Sequence, residues 1–230
     1  MGNLKVDRKE TDIMKFQIDT NPFDDKKPLY RRKNIEFKVG VTVLVGCNGS
    51  GKTTLLRQLA RKLDNKDLLY VKYNNLTDGG SNARSKAIHY GNMEFLATSM
   101  CSSEGENIAM NLGNVARQIR QLSNTCHKHN LKQLFVLIDG IDSGMSIDTI
   151  EDVKKHLFTP VLEDNDDIEV YIIVSANDYT TAKDEQCFDV YTGNYRTFKT
   201  YDDYRNFIIK SKERKDKRYG YEEGDRNGRK

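Results

Sequence analysis

The sequence predicts an α/β domain in which helices flank a mostly parallel sheet. Three apolar runs of strand length, Val41–Val45, Leu134–Ile138 and Ile168–Val174, are nearly continuous, as expected for strands that are buried on both faces. Segments with helical spacing of apolar residues lie between these runs. Strands that alternate with helices along a chain are typical of a parallel sheet with helical crossovers.

Strands and one helix are predicted for the first third of the chain. In order, these are a strand or two and a loop within Met1–Leu29, a strand over Ile35–Val39, a buried strand over Val41–Val45, a helix from Lys52 to Asn65 and a strand over Leu68–Tyr73. The second strand follows from apolar residues that alternate with polar ones. The helix follows from the recurrence of Leu56, Leu59 and Leu63 on one face.

The remaining chain continues the alternation of helices and strands. The predictions are a polar loop over Asn74–Arg84, a helix over Gly91–Met100, a helix that Ser102 or Ser103 caps and that runs to about His129, a strand over Leu134–Ile138, a helix over Ile147–Phe158, a strand over Ile168–Val174, a hairpin of Cys187–Tyr191 with Tyr195–Phe198, and a helix from Tyr201 to about Lys217. Glu106 follows Ser103 by three residues, as in a capping box. Pro160 is expected to interrupt the helix before it, because proline lacks a backbone N–H.

Composition excludes several classes of protein. None of the 230 residues lies in an apolar run long enough to span a bilayer, so we expect no direct membrane insertion. The first ten residues are polar and do not resemble a secretion signal. The four cysteines include no C-x-x-C pair, which favours a reduced, cytoplasmic protein.

Charge placement separates the body of the chain from its end. The net charge is +3, whereas Lys210–Lys230 carries nine basic against five acidic residues, so the body is close to neutral. A neutral body argues against a broad nucleic-acid surface, although a contact through the basic end stays open. The favoured interpretation of that end is a solvated helix terminus. We therefore expect one domain over residues 1–218 and a polar tail over 219–230.

A phosphate-binding motif follows the first buried strand. Gly46–Thr53 matches G-x-x-x-x-G-K-[ST], in which glycines let successive backbone N–H groups face a phosphate and a helix N-terminus adds positive potential. Lys52 is expected to reach the β- and γ-phosphates, and the Thr53 hydroxyl to bind Mg²⁺. The predicted nucleotide-binding residues are Gly46, Asn48, Gly49, Ser50, Gly51, Lys52, Thr53 and Thr54.

A second acidic element supports the same chemistry. The apolar run Leu134–Ile138 ends in Asp139, as does the Walker B strand of P-loop enzymes. A carboxylate at that strand end lies beside the phosphate loop and helps to hold the metal. The sequence therefore predicts a Mg²⁺ site formed by Thr53 and Asp139.

Together these motifs resemble those of ABC-class P-loop ATPases, in particular the soluble branch that includes SMC and RecF proteins. The resemblance covers about Val41–Ala176 and rests on three segments: Gly46-x-Asn48-Gly49-Ser50-Gly51-Lys52-Thr53-Thr54-Leu55-Leu56, Asp139-x-x-Asp142-Ser143-Gly144-Met145, and Ser102-Ser103-Glu104-Gly105-Glu106. The third segment is similar to a divergent ABC signature, which in that family is a helix N-terminus. A plain helix cap is the alternative interpretation, and the two are compatible.

The resemblance implies ATP and Mg²⁺ as ligands and a homodimer that forms with ATP. Each ATP would lie between one P-loop and Ser102, Ser103 and Gly105 of the partner. Three features of the family's motifs differ here. Gly140 stands where the catalytic Glu follows Asp139, and Asn177 stands near the position of the switch His. No clear glutamine loop follows the strand over Leu68–Tyr73, where Asn74, Asn75 and Asp78 stand instead. The predicted catalytic residues are Lys52, Asp142 as a substitute base, and Asn177; slow hydrolysis is the alternative.

Three functions remain open at this point. The first is an ATPase whose dimerisation serves DNA metabolism or genome defence, with DNA or a protein as partner. The second is the nucleotide-binding subunit of a transporter, which the missing Glu and His disfavour. The third is an ATP-sensing interaction module without hydrolysis, which Gly140 favours.

Overall fold

The computed structural model describes residues 13–74, 78, 85, 88–89, 91–101 and 104–220. The strands of this part are β1 Ile13–Gln17, β2 Asn34–Lys38, β3 Gly40–Val45, β4 Tyr70–Asn74, β5 Gln133–Asp139, β6 Glu169–Ser175, β7 Gln186–Asp189 and β8 Asn194–Arg196. The helices are α1 Lys52–Asp64, α2 Met93–Cys101, α3 Glu104–His129, α4 Ile147–Val153, α5 Thr159–Glu163, α6 Tyr179–Ala182 and α7 Tyr201–Tyr219. A π-helical turn, Lys154–Phe158, joins α4 to α5.

The central sheet is mostly parallel, as the sequence predicted. Its strand order is β4-β5-β6-β3-β7-β8, and β1 pairs with β2 in a separate sheet. The pairs from β4 to β7 are parallel, whereas β8 runs antiparallel to β7. The carboxyl ends of β3, β4, β5 and β6 therefore meet at one edge. This confirms the α/β P-loop fold and places the phosphate loop and Asp139 at the same edge of the sheet.

Alternating side chains of the buried strands form two cores, one on each face. Val43 and Val136 pack in the core that α3 covers, and Leu44 and Phe135 pack in the core that α1 covers. The β1–β2 pair adds Phe16 and Phe37 to the α1 side. Because period-2 strands present successive residues to opposite faces, a continuous apolar run fills both layers.

The helical segment after β5 differs from the prediction. Pro160 was expected to interrupt it, yet the chain passes through the π-helical turn and continues as α5 to Glu163. Pro160 lies in the first turn of α5, and its carbonyl accepts a bond of 2.8 Å from the Asp164 N–H. Proline is tolerated there because the first N–H groups of a helix need no helical partner.

The last helix also departs from the prediction. It runs to Tyr219, two residues beyond the predicted end, and Gly220 closes it in the left-handed conformation with φ 76°. One face of its basic half packs on the phosphate loop, whereas Lys212 and Lys217 are exposed, so the expected solvated terminus holds for part of this segment only. The Ser211 hydroxyl accepts a bond of 3.1 Å from the Cys47 N–H, and Lys215 Nζ donates to the Asn48 carbonyl at 3.0 Å.

Some predictions fall on residues outside the described ranges. These include most of the loop predicted over Asn74–Arg84, the tail beyond Gly220, and Ser102 and Ser103. Within the described residues, none of the helices combines the length and apolar character needed to cross a bilayer.

Candidate functional site

The phosphate loop adopts a backbone that its glycines make possible. Gly46, Gly49 and Gly51 have φ values of 154°, 77° and 100°, which side-chain-bearing residues rarely adopt. A Cβ atom on Gly51 would also lie 2.8 Å from Leu29 Cδ2 and 2.9 Å from the Tyr30 hydroxyl. The glycine at this position is therefore required by both the turn and the close approach of the chain at Leu29.

The backbone N–H groups at the N-terminus of α1 are available to bind an anion. Gly51 is the N-cap, and no side-chain oxygen of the described residues caps the first turn. The first N–H groups of a helix lack partners within it, and the helix dipole makes this end positive. The start of α1 can therefore bind a phosphate through backbone N–H groups.

Lys52 lies inside the loop. Its ammonium donates to the Gly46 carbonyl at 2.7 Å, and the residue is 8% exposed. Burial lowers the pKa of Lys52, and the negative charges of Asp142 and Asp139 oppose this shift. A buried ammonium held between backbone carbonyls can turn to an entering phosphate with little loss of contact.

Three side chains from three other elements meet at Asp139. Its Oδ1 accepts from the Thr53 hydroxyl at 3.1 Å and the Ser175 hydroxyl at 2.5 Å, and its Oδ2 accepts from Asn74 Nδ2 at 2.7 Å. Mg²⁺ prefers oxygen ligands, and in nucleotide sites it is bound through one or two carboxylates together with phosphates. The Thr53 hydroxyl and the Asp139 carboxylate therefore fit this ion.

Asn74 and Ser175 are site residues that the sequence did not predict. Each is the last residue of a parallel strand, β4 and β6, at the edge that carries the phosphate loop. Ser175 also accepts a bond of 2.8 Å from the Gly140 N–H, which fixes the backbone after Asp139. A polar residue that ends an otherwise apolar strand is the signal that could have found both.

Asp142 contacts backbone rather than the cavity. Its Oδ2 accepts from the N–H groups of Asn177 and Asp178, both at 2.5 Å, and Oδ1 is buried without a hydrogen-bond partner among the described residues. Burial raises the pKa of Asp142, while the two backbone N–H groups lower it. The Tyr204 hydroxyl donates to the Asn177 carbonyl at 2.8 Å. Asp142 and Tyr204 together hold the backbone of Asn177.

One cavity of about 380 Å³ brings most of the predicted residues together. Its lining includes Asn48, Gly49, Gly51, Lys52, Thr53, Thr54, Asp139 and Asn177. Gly46, Ser50 and Asp142 lie outside this lining. Gly140 and Ser143, which belong to the segment after Asp139 that resembles the ABC family, also line it. The lining residues that the sequence did not indicate are Phe23, Leu29, Asn74, Ser175, Arg218 and Tyr219. Among the described residues, Asp139 is the only carboxylate that lines this cavity.

The segment resembling an ABC signature is described only in part. Gly105 is the second residue of α3, whereas Ser102 and Ser103 lie outside the described residues. Their contact with a partner's nucleotide therefore stays a prediction.

Comparison with known families identifies the central part of the chain. A family model described as an AAA domain matches residues 35–180, well over half of the sequence. The match begins in β2, contains the phosphate loop, Asp139 and Asn177, and ends within α6. No curated protein matches the chain significantly.

Proposed function

We infer that this chain, which belongs to the AAA domain family of P-loop NTPases, binds ATP together with Mg²⁺ and hydrolyses it slowly. The observation that carries this proposal is the contact of 3.1 Å between Thr53 Oγ1 and Asp139 Oδ1. This contact joins the phosphate loop, which follows β3, to the carboxylate at the end of β5, although β6 lies between these two strands. The buried ammonium of Lys52 lies beside the same loop and supplies the charge that a triphosphate requires.

Each residue has a role that follows from its position. The N–H groups at the start of α1 donate to phosphate oxygens, and Lys52 turns from the Gly46 carbonyl to the β- and γ-phosphates. Thr53 and Asp139 would hold Mg²⁺, which neutralises charge on these phosphates when bound. Asn74 and Ser175 orient the Asp139 carboxylate through the two bonds they donate. Such outer contacts fix the ligand geometry of metal sites.

Hydrolysis is expected to be slow because the described lining offers no second carboxylate. Gly140 has no side chain to polarise water, and Asn177 can orient a water molecule but cannot accept its proton at neutral pH. Residues that hold ATP firmly but activate water poorly favour a nucleotide-dependent switch. The lack of a second carboxylate also supports an alternative function, the ATP-sensing interaction module.

The role of Asp142 as the base stays a prediction, and two substitutions test it. The backbone contacts favour a positioning role, in which Asp142 holds Asn177 at the cavity. Asp142→Asn then keeps an oxygen that accepts from the two N–H groups, so kcat should stay within about threefold of the wild type. Asp142→Ala should lower the free energy of unfolding by about 1–2 kcal/mol, because two part-buried backbone donors lose their carboxylate acceptor. We would measure kcat and urea unfolding of both variants.

If Asp142 is the general base, Asp142→Asn should give the opposite result for kcat. Asp142→Asn would then lower kcat by about 10²–10⁴-fold with ATP affinity unchanged. That outcome would contradict the positioning role.

We further propose, from the resemblance to ABC-class ATPases, that ATP drives formation of a homodimer. Ser102, Ser103 and Gly105 of one chain would complete the site of the other. Light scattering should show a shift from monomer to dimer with a slowly hydrolysed ATP analogue. Ser103→Arg should prevent this shift by placing bulk and charge in the interface, whereas Asn124→Arg at an exposed position near the other end of α3 should not. A wild-type chain that stays monomeric at saturating analogue would contradict the dimer.

We propose that such a dimer acts in DNA metabolism or genome defence. The support is the resemblance of the motifs to those of the SMC and RecF branch. Stimulation of turnover by duplex DNA would favour this role over the ATP-sensing module.

A further inference from the structure

The cavity at the phosphate loop has two chemically different groups of lining residues. The groups around Asp139 are polar, whereas Phe23, Leu29 and Tyr219 contribute aromatic and apolar surface. Phe23 and Leu29 belong to the segment between β1 and β2, and Tyr219 ends α7. No motif of the sequence includes these residues.

The segment between β1 and β2 contacts the last turn of α7 at this surface. Arg218 Nη2 lies 3.7 Å from Asp25 Oδ2, and Lys27 Nζ donates to the Lys217 carbonyl at 3.1 Å. These contacts hold the last turn of α7 against the segment that carries Phe23 and Leu29. The aromatic part of the lining is therefore a built surface rather than a chance approach of two chain ends.

Arg218 has hydrogen-bonding capacity that the described residues do not use. Its side chain is 8% exposed and lines the cavity. Nη2 reaches Asp25 and the Tyr219 hydroxyl, but Nε and Nη1 are buried without a hydrogen-bond partner in the described part of the chain. Burying charged donors without acceptors is unfavourable. A turn of the guanidinium towards the cavity would let an acceptor of the ligand satisfy them.

The aromatic lining residues are exposed, whereas the unpartnered donor atoms of Arg218 are buried. Phe23 is 61% exposed and Tyr219 is 49% exposed, although both line the cavity. Arg218 Cζ lies 4.4 Å from the centroid of the Tyr219 ring and covers one of its faces. Phosphates are expected at Lys52 and at the N–H groups of α1, so the Phe23 ring and the other face of Tyr219 are left for another part of the ligand. Flat rings stack favourably on aromatic side chains, whichever base is present.

We propose that Phe23, Leu29, Arg218 and Tyr219 form the seat for the base and sugar of the bound nucleotide. The proposal rests on the proposed function, since the phosphate site decides which part of the nucleotide remains to be bound. The base packs on Phe23 and Tyr219, and Arg218 donates from Nε or Nη1 to an oxygen or ring nitrogen of the nucleoside. The last turn of α7 is thereby part of the nucleotide site.

Binding of ATP and of inorganic tripolyphosphate tests the seat, because tripolyphosphate has no base or sugar. By calorimetry, wild-type protein should bind ATP at least tenfold more tightly than tripolyphosphate. Phe23→Ala should weaken ATP binding about tenfold, as expected for loss of one stacking partner, and leave tripolyphosphate binding unchanged. Ile147→Ala is the matched control, since Ile147 is similarly exposed at 66% and lies outside the lining.

The role of Arg218 is tested by comparing substitutions of Arg218 and of the adjacent Lys217. Arg218→Gln should weaken ATP binding about tenfold, because it removes donors within the cavity. Lys217→Gln removes the same charge from an exposed side chain and should change ATP affinity less than twofold. Equal effects of the two substitutions would overturn the role of Arg218 in the seat.

Different binding results would contradict the proposed seat for the base and sugar and the proposed function. If Phe23→Ala weakens both ligands equally, or neither, the seat is wrong while the phosphate site stands. Wild-type protein that binds ATP no more tightly than tripolyphosphate also overturns the seat alone. Wild-type protein that binds neither ligand overturns the proposed function and the seat together.

Discussion

Lys52→Ala is expected to lower ATP turnover by about 10²–10³-fold, the range for loss of one preorganised donor to developing charge. Its ammonium is buried at the phosphate loop and bonded to the Gly46 carbonyl at 2.7 Å. The free energy of unfolding should fall by less than about 1.5 kcal/mol, because the lost bond is offset by relief from burying a cation. The fold should therefore persist while the activity is lost.

Turnover, ATP affinity and urea unfolding of this variant would be measured together. Arg61→Ala is the matched control, since it removes a cation from the exposed side of the same helix and should leave all three values near those of the wild type. Unchanged ATP affinity together with unchanged turnover in Lys52→Ala would exclude the phosphate loop as the nucleotide site.

Asp139→Asn is expected to lower turnover by about 10²-fold or more and to remove the dependence of ATP affinity on Mg²⁺. The substitution takes away the negative charge that would hold the ion. The side chain can still accept from Asn74, and the Thr53 and Ser175 hydroxyls can reverse their bonds to accept from the new amide. The fold should therefore be retained.

Titration of ATP at increasing Mg²⁺ concentrations would measure this effect. Asp166→Asn changes an exposed carboxylate in the same way and serves as the control. If Asp139→Asn keeps the wild-type response to Mg²⁺, Asp139 does not bind the ion.

The parts of the site that local sequence encodes were predictable. The phosphate loop is a contiguous stretch in which spacing and residue type carry the chemistry, and Asp139 directly follows an apolar run. The α/β class followed in the same way from apolar periodicity. These features need no knowledge of which elements meet in space.

The remainder depends on contacts between distant parts of the chain. Asn74 and Ser175 become site residues only because the strand order places β4 and β6 beside β5. Ser211 and Cys47 are 164 residues apart, so the docking of α7 on the phosphate loop has no local signal. The spacing of Asp142 from Asp139 suggested proximity to phosphate, but not that the backbone of Asn177 and Asp178 would occupy one of its oxygens.

Calorimetric titration of ATP into the unsubstituted chain, with and without Mg²⁺, tests the central claim most directly. The claim is that the cavity formed by the phosphate loop and Asp139 is a Mg²⁺-dependent ATP site. We predict one ATP per chain and tighter binding when Mg²⁺ is present. Absence of ATP binding at millimolar concentration, or an affinity that does not respond to Mg²⁺, would contradict it.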